Sequence, residues 1–111
     1  MAKTNAAFMS GVPELLVLKL LASEEMYGYQ LVKAIRENSG ETFELAEGVV
    51  YPVLHGLEVK KLLKAKEKFA EGRSRIYYSL TSKGEKRLAE LADEWMRVRN
   101  GIGLVLGGRY A

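Results

Sequence analysis

The chain predicts a mainly α domain carrying one small β-hairpin, on three observations. Before residue 60, one short segment is apolar nearly all round and two more carry apolar residues at helical spacing. The period then changes to two between Leu63 and Leu80, and from Ser82 onward spacings of three and four return. With 111 residues the chain is long enough for one modest core.

Pro13 and Glu14 read as the first turn of an opening helix, because proline lacks only an N–H that would be orphaned there anyway. Leu15, Leu16, Leu18, Leu20 and Leu21 make that helix apolar nearly all round, which suits a core or a subunit contact. The residues before it, including Lys3, have no clear period and read as a frayed tail. Ser23-Glu24-Glu25 ends the helix. A second helix is expected from Met26-Tyr27-Gly28-Tyr29 to about Asn38, with Tyr27, Leu31, Ala34 and Ile35 buried and Ser39-Gly40 stopping it. Glu41 to Ala46 is a connection with Phe43 and Leu45 tucked inward.

The stretch from Ala46 to Leu63 is the most informative. Val50, Val53, Leu54 and Leu57 follow the i, i+3, i+4, i+7 pattern of a helix with one buried stripe. Glu47, Tyr51, His55, Glu58 and Lys61 are expected on the opposite face. Beyond it, Leu63, Ala65, Glu67 and Phe69 alternate with Lys64, Lys66 and Lys68, which places three ammonium groups on one side of a strand. Ala70-Glu71-Gly72 is turn chemistry, and Arg73 to Leu80 reads as the returning strand with Ile76, Tyr78 and Leu80 inward. Thr81 or Ser82 caps a last helix, Ser82 and Glu85 having the spacing of a capping box. Along it Leu88, Leu91, Trp95, Val98, Ile102 and Val105 form an a/d seam. Gly101, Gly103, Gly107 and Gly108 are expected to fray it beyond Asn100.

Composition narrows the function. Hydrophobic residues make up 48% and charged residues 28%, an ordinary soluble balance. No apolar run reaches the ~18–20 residues of a bilayer span, and the N-terminus lacks signal-peptide features, so no membrane partner and a cytoplasmic location are expected. The absence of cysteine excludes disulfides, thiolate zinc sites and cysteine catalysis. One histidine and no clustered carboxylates leave no constellation for an enzyme, a metal or a cofactor. Charge is lopsided. Residues 60–87 hold ten cations and three acids, a local +7, while the remaining seven cations and eleven acids give −4. Such asymmetry suits a surface for a polyanion, although a solvated charged face has the same signature.

Three short helices, a basic hairpin and a long last helix are the order of a winged helix-turn-helix domain. In that architecture the second helix of the pair lies in the DNA major groove, where base edges are distinguishable. The wing supplies cations to phosphates and positions the domain. The expected division is residues 1–81 for DNA binding and 82–111 for a dimerisation helix and tail.

Four segments resemble one family: Glu14-Leu15-Leu16-Val17-Leu18, Tyr27-Gly28-Tyr29, Gly48 through Glu58 (GVVYPVLHGLE) and Arg73 through Gly84 (RSRIYYSLTSKG). They look like the PadR family of bacterial and archaeal transcriptional regulators, over roughly Glu14 to Trp95, and the single last helix resembles its smaller subgroup. The resemblance implies a homodimer joined through the first and last helices and bound to double-stranded DNA, acting as a repressor. Two departures stand out. The family often has Ser-Pro where this chain has Ala46-Glu47, which removes an N-cap oxygen typically worth ~1 kcal/mol. It also often has Thr where this chain has Val49, which removes a hydroxyl from the helix start.

The residues expected at DNA are Glu47, Gly48, Val49, Tyr51, Pro52 and His55 on the third helix, with Lys64, Lys66, Arg73, Arg75 and Tyr77 on the wing. Those expected at a dimer interface or ligand site are Met9, Val12, Leu88, Leu91, Trp95, Met96, Val98 and Ile102. Trp95 either fills the dimer core or, as the resemblance implies, sandwiches a flat hydrophobic aromatic effector against its symmetry mate. The competing function is a winged-helix protein–protein interaction module, whose partner would dock on the third helix without specific DNA binding.

Overall fold

The computed structural model describes residues 11–107; the expectations placed on Lys3 and Met9 lie outside them. The elements are α1 (Val12–Ser23), β1 (Met26–Tyr27), α2 (Gly28–Asn38), α3 (Glu47–Val59), β2 (Leu63–Ala70), β3 (Arg73–Leu80) and α4 (Ser82–Leu106). The mainly helical fold with a hairpin is therefore present, with one strand more than the sequence predicts. Met26 and Tyr27 do not open α2 but pair antiparallel with Tyr78 and Tyr77, giving a sheet of order β1-β3-β2. Two residues are too short for a period to be legible, and only the long-range partner β3 makes them a strand.

The core forms where the three short helices meet. Val17 and Leu18 of α1, Leu31 and Ile35 of α2, and Val50 and Leu54 of α3 are fully buried. Leu57, Leu62, Leu63 and Tyr78 close it from the wing side. Phe43 and Leu45 of the α2–α3 connection pack against this cluster, as their apolar side chains require. Burial of each large aliphatic here contributes roughly 1.5–3 kcal/mol.

Two tight approaches set the wing. The β2–β3 turn is Glu71-Gly72, both with positive φ (53° and 74°), the pairing that matches strand twist in a two-residue hairpin. At the wing's base, Thr81 rather than Ser82 caps α4: its hydroxyl oxygen accepts from the Gly84 N–H at 3.0 Å. The same hydroxyl donates to the Lys61 carbonyl at 2.8 Å, which explains why threonine holds the cap and the Ser82/Glu85 box does not form. Gly84 is required by contact, since a Cβ there would sit 2.1 Å from the Leu62 carbonyl oxygen.

Three further expectations are corrected. Lys61 is not on α3, which ends at Val59; it lies in the turn to β2 with a φ of 63°. Ile76 is 42% exposed, because only the base of β3 overlies the core. Beyond Asn100 α4 does not fray but stays helical to Leu106, and the Gly107 N–H donates to the Gly103 carbonyl at 2.9 Å. Leu88 and Leu91 pack on the core of their own domain. The later seam positions Trp95, Val98, Ile102 and Val105 are exposed.

Candidate nucleic-acid interface

Along α3, Val50, Leu54 and Leu57 anchor one side in the core. At 3.6 residues per turn, Gly48, Pro52, His55 and Val59 fall within about 60° of one another on the opposite side. All four are exposed, as are Glu47, Val49, Gly56 and Glu58. The helix begins without a side-chain cap: Ala46 offers only its carbonyl, which accepts from the Val49 and Val50 N–H groups at 2.9 and 3.1 Å. Pro52 sits inside the helix, five residues after its start, and cannot donate to the Gly48 carbonyl.

Tyr51 is placed differently from its expected outward position. It is half-buried, and the hydroxyl end of its ring lies over Gly28, where a Cβ would stand 2.5 Å from Tyr51 Cζ. The first glycine of α2 is thus a seat for an α3 aromatic. Tyr51 and His55 keep company across one turn, their ring centroids 6.3 Å apart. Burial pushes the Tyr78 phenol above its ordinary value, and the nearby Glu58 charge and Tyr51 add to the rise.

The hairpin register sorts the wing into two faces. Leu63, Ala65, Glu67 and Phe69 of β2 stand opposite Leu80, Tyr78, Ile76 and Ser74 on the face that reaches the core at its base. On the other face Lys64, Lys66, Lys68 and Ala70 stand opposite Ser79, Tyr77, Arg75 and Arg73. Five cations therefore share one face with Tyr77, and Tyr27 joins it from β1. Lys68 and Arg75 are directly opposite, an arrangement that is unfavourable for like charges unless something separates them. Aromatics and an acid do so. The Arg75 guanidinium lies 4.4 Å from the Tyr27 ring centroid, and Lys68 Nζ lies 5.2 Å from that of Tyr77 while pairing with Glu25. Tyr27 and Tyr77 meet edge to face at 5.4 Å.

The structure thus brings most of the expected site into one continuous strip. His55 and Tyr51 of α3 lead through Gly28 to Tyr27 and Tyr77, and these carry Arg75 and Lys68. Lys64, Lys66 and Arg73 extend the same wing face and are exposed. The sequence predicts Tyr27 in the core, sets Lys68 beside Lys64 and Lys66 on the strand, and gives Glu25 no part in the site. The short strand β1 is what delivers Tyr27 and its neighbour Glu25 to the wing. The expected dimer and ligand residues lie apart: Trp95, Met96, Val98 and Ile102 are on the exposed half of α4, and Val12 is half-buried at the start of α1. Among the described residues no helix is long and apolar enough to cross a membrane.

Comparison with known proteins bears on the fold that carries these residues. The model of the transcriptional regulator PadR-like family matches residues 17–90. Transcriptional regulator Rv3488 of Mycobacterium tuberculosis is 31% identical over 83 residues, 75% of each chain. Among solved structures, a PadR family transcription regulator from Clostridium difficile superposes with a TM-score of 0.79 at 31% identity, covering 87% of this chain and 100% of that one. A PadR-like transcriptional regulator from Bacillus cereus gives 0.79 at 33% identity, covering 90% and 96%. These relatives are transcriptional regulators, not enzymes.

Proposed function

The chain belongs to the PadR-like family of transcriptional regulators, and from that premise we propose that it is a homodimeric, sequence-specific DNA-binding repressor. The observation that carries this reading is the outer face of the wing, where Lys64, Lys66, Lys68, Arg73 and Arg75 stand together beside α3. A phosphate backbone is the partner that such a face fits, and α3 is the element that enters the major groove. The division of labour follows, with residues 1–81 holding DNA and 82–111 joining the subunits. A regulator of this kind works where the chromosome is, in the cytoplasm.

Dimerisation is supported by the apolar stripe that α4 leaves exposed among the described residues. Trp95 is 49% exposed and Val105 88%, with Val98 and Ile102 between them on the same seam. Leaving such side chains in water is unfavourable, and a second copy covers them with the same stripe. A two-fold pair presents two α3 helices about 34 Å apart, which matches successive major grooves and predicts a pseudo-palindromic site. The two Trp95 rings then flank the dimer axis, and a flat hydrophobic effector that enters between them releases the DNA. As the chain has a single tryptophan, its fluorescence reports that event directly.

Titration of duplex DNA at 50 and 200 mM salt is the deciding experiment. A dimer that neutralises six to ten phosphates loses roughly 10³–10⁵ in affinity across that range. The Arg73→Ala/Arg75→Ala variant loses most of its affinity and has a shallower salt slope, whereas a protein-docking module would keep its partner. Affinity that does not change with salt overturns the reading.

A further inference from the structure

The ridge of α3 is unusual for a helix that faces DNA. In Glu47–Val59 there is no arginine, lysine, asparagine or glutamine. Those are the side chains that pair bidentately with guanine or adenine in the major groove. The outermost positions are instead Gly48, Pro52, His55 and Val59, flanked by Val49 and Gly56. Val49 is 43% exposed and Val59 82%, and beyond the local helix backbone no described residue comes within 4 Å of where a Cβ would be at either glycine. Thymine is the one base whose major-groove edge offers an apolar group, the C5 methyl. Val49 and Pro52 lie in the first two turns, the part of a recognition helix that contacts base edges. The five cations on the adjoining wing commit the occupant of this apolar ridge to a polyanion rather than a protein groove.

We propose that Val49 and Pro52 select the operator by apolar contact with thymine C5 methyl groups in the major groove. This rests on the DNA-binding reading above and deepens it. Gly48 and Gly56 flank Pro52 without side chains of their own, so His55 is the one longer side chain on this part of the ridge. The Val49 side chain has no hydrogen-bonding group, so a base edge can meet it only through an apolar contact.

The test begins with a random duplex library enriched on the full chain. Each thymine of the enriched half-site is replaced singly by deoxyuridine, which deletes the methyl and keeps every hydrogen-bonding group. At one or two positions the affinity falls about fourfold per methyl. Val49→Ala, a change at an exposed site, abolishes the penalty at one of them, so the double cycle shows coupling. An enriched half-site without thymine, or one in which every deoxyuridine is silent, overturns the assignment and leaves DNA binding standing. A library that shows no enrichment overturns both.

Discussion

The outer ridge of α3 and the outer face of the wing are built from opposite materials. The ridge presents glycines, proline, valine and a single histidine. The wing presents five cations steadied by two tyrosines and one glutamate. On the DNA-binding reading this separates two tasks that many helix-turn-helix proteins combine on one helix. Charge attracts any phosphate backbone and responds to salt, while apolar contact and one imidazole discriminate bases and are nearly indifferent to salt. Affinity and specificity should therefore be removable one at a time.

The largest effect is expected at the wing. Lys64, Lys66, Arg73 and Arg75 all point away from the core, so replacing the four with alanine leaves the melting temperature nearly unchanged. Each lost phosphate contact flattens the salt slope by about one, and together they weaken binding at moderate salt by on the order of 10²-fold or more. An unchanged slope would break the comparison. Next is His55→Ala, which removes the one imidazole on the ridge. It lowers the ratio of specific to non-specific affinity about tenfold, within the usual range for one base contact, and leaves the slope as it was. Binding to enriched and scrambled duplexes at two salt concentrations separates the two outcomes.

How much of this was legible beforehand depended on distance along the chain. The α3 stripe, the alternating lysines and the Glu71-Gly72 turn are local patterns, and each appears where the sequence places it. What escaped was non-local. Met26-Tyr27 reads as a helix start because its partner strand is some fifty residues away, and that pairing moves Tyr27 from the core to the wing face. Tyr51 reads as outward from its helical angle alone, but the missing side chain at Gly28 leaves a seat that draws it in. Gly101 and Gly103 predict fraying, yet a 25-residue helix already capped by Thr81 propagates through them.

The seat at Gly28 links the two regions and supplies the third prediction. Gly28→Ala puts a methyl into the Tyr51 ring, and the side chain, rather than either backbone, has to yield. The fold survives, with a loss of about 1 kcal/mol, or roughly 4–8 °C in melting temperature for a domain of this size. Displacing Tyr51 also removes the ring beside His55, so specificity falls while the salt slope holds. Shortening the ring with Tyr51→Ala in the Gly28→Ala background makes room for the methyl. That double change should cost less than the sum of the single ones.

The smallest effect has the most informative sign. Glu25 pairs with Lys68, and both side chains are well exposed, so the pair contributes at most a few tenths of a kcal/mol to stability. Its role is to offset one of two like charges, since Lys68 stands directly opposite Arg75. Glu25→Gln leaves that repulsion uncompensated in the free protein and lowers its stability slightly. A phosphate can then take the place of the carboxylate. DNA affinity should rise, by less than about threefold at low salt, with a slope steeper by up to one. A decrease would mean that Glu25 holds Lys68 in the position from which it reaches the backbone, and that the wing face is ordered by its one acid as much as by its two tyrosines.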